Sequence, residues 1–297
     1  MVVERTRKQK IIRRTVWGVS LAALLSAALV WAGFSESGMP VAVLAGAFGL
    51  AGLLELGFMG KLADEGLLGA FVAAGILTLL VSLAAVDGLL PSAMLGPLRE
   101  QFTPKVLGFL IMVPALVAMA SRPRHGRLGL LGRAGVAALL ALWVGYPFAV
   151  LHSVWALMGH TAFVVLLVLS KIGDIAGYYV GNAIGKSHPF KGISPGKTTA
   201  GCVGSLVVAL IAGVLAAQLG WLGDERWAWA SGLLFGLVIN LAAQAGDLFE
   251  SVVKRKSEVK DSGTWFGPSG GVLDLVDSLL FTVPAALLTW PLFFLAA

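Results

Sequence analysis

Of 297 residues, 58% are hydrophobic and only 13% charged, against roughly 25% charged in an average soluble domain. This composition excludes a soluble globular chain and implies an integral membrane protein. The net charge of +6 is placed in a way that suits membrane orientation, not nucleic acid. A lone cysteine, Cys202, rules out an internal disulfide or a thiol zinc cluster, and four scattered histidines (His125, His152, His160, His188) lack metal-ligand spacing.

In chain order the apolar runs predict nine transmembrane helices, at roughly 15–34, 40–59, 67–90, 105–121, 134–157, 159–180, 200–220, 227–249 and 272–295. Continuous runs of this length choose helices, because only helices and closed barrels satisfy their backbone in lipid. The first run is too long for a signal peptide and lacks a small-residue cleavage site, so it reads as a retained helix. With nine spans, every basic residue except Arg99, Lys105 and Arg226 falls on the side of the N-terminal arm. That bias makes the basic side, and the N-terminus, cytoplasmic. The fold class expected is an all-α polytopic membrane protein forming one integrated domain. Residues 1–170 form a multi-span helical region, and residues 171–297 carry the cytoplasmic loops 171–199 and 250–271.

The polar residues concentrate in those loops. Six carboxylates (Asp247, Glu250, Glu258, Asp261, Asp274, Asp277) and four cations (Lys254, Arg255, Lys256, Lys260) lie in the 31 residues from Asp247 to Asp277. Asp247, Glu250, Ser251 and Lys254 share one helix face at i, i+3, i+4 and i+7, and Asp274 and Asp277 share another. Carboxylate groups of this kind suit magnesium, held by one or two acids together with substrate phosphates. Lys254, Arg255 and Lys260 are placed to meet phosphate charge, and Gly267, Gly270 and Gly271 let backbone amides approach an anion. Asp274 and Asp277 could equally complement a helix dipole. Gly177, Gly181 and Gly185, four residues apart, read as a close-packing face.

The stretch from Ser251 to Asp277 resembles the signature of the phosphatidate cytidylyltransferases, or CDP-diacylglycerol synthases. Ser251, Lys254, Arg255, Lys260, Asp261, Gly263, Phe266, Gly267, Gly270, Gly271, Asp274 and Asp277 stand in its register. The preceding Gly246-Asp247-Leu248-Phe249-Glu250-Ser251 matches Gly-Asp-Leu-x-Glu-Ser. Upstream, Asp174, Gly177, Tyr178, Gly181, Gly185 and Lys186, then Ser194-Pro195-Gly196-Lys197-Thr198, resemble two further family elements. This chain departs at Ser269 (His in the family), at Leu275 (Arg) and at Ala200 (Glu).

The resemblance implies joining of CTP and phosphatidate to give CDP-diacylglycerol and pyrophosphate on the cytoplasmic face of a bacterial inner membrane. It implies magnesium held by Asp247 and Asp274, potassium as a second ion, and Asp277, Lys260 and Asp261 as further catalytic residues. Lys254, Arg255, Ser251, Lys197, Ser194, Lys186, Gly270 and Gly271 are then the substrate and phosphate contacts. The partners are CTP and membrane lipid, with a homodimer expected and no nucleic acid. The alternatives are another CTP-using membrane enzyme, a lipid kinase of the polyprenol or phytol type, and a non-catalytic lipid-binding descendant, which the departures at Ser269, Leu275 and Ala200 keep alive.

Overall fold

The computed structural model describes residues 38–59, 67–84, 116, 130–223, 228–267 and 270–294. The described residues form helices and the loops between them, without a strand. Eight helices follow in order: α1 Met39–Phe58, α2 Leu68–Ala84, α3 Leu130–Met158, α4 His160–Ile184, α5 Thr199–Gln218, α6 Ala228–Lys256, α7 Val272–Val276 and α8 Leu279–Phe294. Six runs are long and apolar enough to cross a membrane, namely 39–58, 134–158, 160–184, 199–218, 228–256 and 272–294, and Leu68–Val81 is a shorter apolar helix. The predicted span 15–34, and 105–121 apart from Leu116, lie outside the described residues, as do the basic N-terminal arm and Ser269.

Local chemistry sets the boundaries. Gly159 separates α3 from α4 with φ 75° and ψ 167°, a backbone state that a side chain would resist. This settles the division of the long apolar run 134–180. Thr198 caps α5, its hydroxyl accepting from Gly201 N at 3.0 Å. α6 continues past the predicted end at 249 to Lys256, carried by a Glu250–Lys254 ion pair one turn apart.

The last predicted span is broken in two. Between α7 and α8, Asp277 Oδ1 accepts from Ser278 N at 2.6 Å, an alternative to helical hydrogen bonding. The break turns Asp277 toward α6.

Phe71, Phe163, Phe235, Leu53, Leu166, Ile239 and Leu273 are fully buried at the centre. Around them α1 packs on α2 and α3, and α6 packs on α5 and α8. The outer face of α5 shows Val203, Val207, Ile211 and Leu215 at four-residue spacing, as a lipid-facing stripe requires.

Candidate active site

Asp247 and Glu250 project from one face of α6 toward the α7–α8 break. Gly246 permits that approach, since a Cβ there would strike the Asp277 carbonyl and the Ser278 Cα. Asp247, Glu250 and Asp277 each present an oxygen within 4.8 Å of the others. Glu250 is 1% exposed and its Oε1 has no hydrogen-bond partner. Packing carboxylates this closely in a buried place is costly, so the lysines around them matter.

Two helices and the loop before α5 supply those cations. Lys254 of α6 pairs with Glu250 and, at 2.6 Å, with Asp274. Lys197, just before α5, lies 2.7 Å from Asp247. Lys171 of α4 lies 2.9 Å from Asp277 and 3.9 Å from Asp174. Each acid of the trio therefore has one ammonium beside it.

Asp274 borders the trio through Lys254. Its Oδ2 accepts from Ser262 N at 2.7 Å, Ser262 Oγ at 2.8 Å and Gly271 N at 2.7 Å. The structure thus joins Asp247 to Glu250 and Asp277 directly, and to Asp274 only at one remove. Lys260 and Asp261 are exposed on the loop and stand apart from the trio. Arg255 is also exposed and ties two loops together, donating to Ile193 O at 3.3 Å and Val259 O at 3.1 Å. Ser251, Gly270 and Gly271 are buried, whereas Lys186 is exposed.

A cavity of about 690 Å³ opens beside the trio between α4, α5 and α6. Asp174, Tyr178, Ser194, Lys197, Gln244 and Asp247 are among its lining residues, so Lys197 and Asp247 belong to both cavity and cluster. A polar ladder forms part of its wall. Gln244 Nε2 donates to Asn240 Oδ1 at 2.6 Å and to Cys202 O at 3.3 Å, and Asn240 Nδ2 donates to Ser205 Oγ at 2.7 Å. The Cys202 carbonyl can only accept, which fixes both amides in this orientation.

The sequence model of the cytidylyltransferase family matches residues 12–293. The chain belongs to the cytidylyltransferase family. Among curated relatives, the uncharacterized protein YnbB of Escherichia coli (strain K12) is 36% identical over 157 residues, covering 50% of this chain and 51% of that protein. The phosphatidate cytidylyltransferase of Helicobacter pylori (strain J99) is 39% identical over 140 residues, 47% of this chain and 51% of the enzyme. That of Bacillus subtilis (strain 168) is 35% identical over 152 residues, 50% and 55% respectively. The chain spans about half the length of the curated relatives it matches.

Cytidylyltransferase chemistry needs a place for a triphosphate and a way to spread its charge, and the trio beside the cavity offers oxygen ligands suited to a divalent cation. The unpartnered Glu250 Oε1 is the observation that favours a cation there, since an orphaned buried oxygen is otherwise destabilising. Of the departures in this chain, Leu275 is half-buried against the core and Ala200 lies in the first turn of α5.

Three residues escaped the reading of the sequence as site members. Glu250 had been placed on the Asp247 face, and its spacing was the signal. Lys171 sits three residues before Asp174, a weaker one. Glu55, described below, offered only a lone carboxylate inside an apolar helix.

Proposed function

We propose that this protein is a CTP:phosphatidate cytidylyltransferase, a nucleotidyltransferase of phospholipid synthesis. The observation that carries the reading is the meeting of cavity and carboxylates at Asp247 and Lys197. A phosphatidate oxygen attacks the α-phosphorus of CTP, a new P–O bond forms, and the α–β bridging bond breaks to release pyrophosphate. Phosphatidate is already anionic near neutral pH, so no histidine base is required and Ser269 is tolerated.

A divalent cation, magnesium by resemblance, would be held by Asp247, Glu250 and Asp277, and when bound supplies neutralisation of the triphosphate and departing pyrophosphate. The chain's own part is positioning and charge. Lys197 leaves Asp247 for a CTP phosphate, with Ser194, Lys186 and Arg255 on the flanking loops. Lys254 turns from Asp274 to substrate phosphate, and the freed Asp274 Oδ1 joins the acidic group. Lys171 stays with Asp277 and Asp174, limiting repulsion among the acids and doing near them what a second, monovalent cation would do. Ser251, Gly270 and Gly271 are buried and shape the floor on which Asp274 and Lys254 sit. Lys260 and Asp261 guide lipid headgroups at the rim. Excluding water from such a site strengthens each of these charges.

The topology we propose for the full chain has nine spans with the basic side cytoplasmic, in a bacterial inner membrane, as a homodimer.

The test uses purified protein in lipid nanodiscs with labelled CTP, phosphatidate and magnesium. CDP-diacylglycerol and pyrophosphate should appear together and vanish with EDTA. Asp247→Asn or Asp277→Asn should lower kcat at least ~100-fold, the scale of losing a preorganised charge. Phosphorylated lipid with CDP would instead mean a kinase, and neither product with lipid still bound would mean a non-catalytic descendant.

A further inference from the structure

Glu55 lies near the end of α1, a helix otherwise apolar, and is 3% exposed. Its carboxylate is directed at the signature loop more than 200 residues away. Oε1 accepts from Val272 N at 2.8 Å, and Oε2 accepts from Leu273 N at 2.9 Å and Ser262 Oγ at 2.8 Å. α7 follows Gly271 at its N-cap, which has no side chain to cap it. Glu55 supplies that cap from another helix, satisfying two amides that would otherwise be orphaned in a buried place.

The same contact reaches Asp274. Ser262 Oγ lies 2.8 Å from both Glu55 Oε2 and Asp274 Oδ2, and its single proton is shared between them, so one hydroxyl bridges the two carboxyl groups. Gly271 N donates to Asp274 while the next two amides donate to Glu55. The amides of Gly271, Val272 and Leu273 thus serve the chain's own carboxylates. The glycines are also explained sterically. A Cβ at Gly263 or Gly271 would collide with the Glu55 carboxylate, and at Gly271 with Ser262 Oγ as well. Two signature glycines are therefore the room that Glu55 needs.

We infer that Glu55 is a positioning residue for the transfer reaction, setting Asp274 and the 262–271 loop through Ser262 and the first turn of α7. This rests on the function proposed above. It makes α1 a working part of the site, although the chemistry-bearing motifs all lie beyond residue 170. Glu55 does not touch the cavity, which lies between α4, α5 and α6. Its loss should act on turnover and leave CTP binding alone.

The experiment uses the full chain in nanodiscs, comparing wild type with Glu55→Gln and Ser262→Ala. Glu55→Gln keeps the shape but points an amide donor at backbone donors. It should lower kcat at least about tenfold, as expected when a reacting group is displaced by a fraction of an ångström, with KM for CTP within about threefold. Ser262→Ala removes the link to Asp274 while leaving both amide caps, and should give a smaller kcat loss, again with KM held. A parallel arm needs no activity: trypsin cleavage after Lys260, on the same loop, should quicken several-fold in Glu55→Gln. Unchanged kcat in both variants would overturn the inference, as would kcat and KM failing together in Ser262→Ala. If wild type makes no CDP-lipid, the proposed reaction fails. The trypsin arm then still judges Glu55, and an unchanged cleavage rate overturns its role.

Discussion

Around Glu250 the balance of charge is local enough to be tested one side chain at a time. Its carboxylate is 1% exposed and Lys254 is the ammonium paired with it. Lys254→Met therefore removes the ammonium that Glu250 shares with Asp274, and breaking a buried pair in this way costs about 3–5 kcal/mol. Adding Glu250→Gln should restore much of that loss, which thermal unfolding of the two single variants and the double variant will measure. Asn240, fully buried between Ser205 and Gln244, is a milder case. Asn240→Leu should cost roughly 0.6–1.7 kcal/mol, from the average to the largest coupling found for polar contacts between membrane helices. Asp247 and Asp277 were legible in the sequence because motif spacing put them on helix faces beside basic residues. Glu55 was not. A single acid in an apolar run looks the same whether it meets lipid, water or a loop, and its partners lie 207 to 218 residues away.

Helices were easier to read than their ends. Seven of the nine predicted runs coincide with described helices, since sustained apolar length leaves the backbone no other choice. What hydropathy missed came from polar contacts: the extension of α6 through Glu250 and Lys254, and the break after α7 made by Asp277 and Ser278. Close packing was legible only in part. The glycine series in α4 does meet a neighbour, since a Cβ on Gly177 would press on the Gly201 carbonyl. A tighter approach lies elsewhere, between α5 and α6, where a Cβ at Gly213 would strike the Gly232 carbonyl and the Gly236 backbone. Gly213→Val should therefore overpack that contact by about 1–3 kcal/mol, seen as a lower unfolding temperature in nanodiscs. A valine on the outer stripe, as in Leu215→Val, should leave it nearly unchanged.

Over the whole molecule, the division at residue 170 separates sequence signals and not working parts, because α1 and α7 meet at Glu55. The orientation we propose has its own measurement. In a Cys202→Ser background, Lys260→Cys should react with a membrane-impermeant thiol reagent in inside-out vesicles and not in intact spheroplasts. The reverse pattern would turn the molecule over. The same long-range contact has a consequence for how the protein is made. Translation delivers α1 first, and at 5–20 residues per second the backbone amides that receive Glu55 follow roughly 10–45 s later. Through that interval the growing chain carries a carboxylate inside an apolar helix without its final ligands. A ribosome that stops before residue 271 leaves that debt standing, so truncated copies should be marked for removal by the membrane's proteases while Glu55→Leu versions of the same fragments persist longer in a pulse-chase.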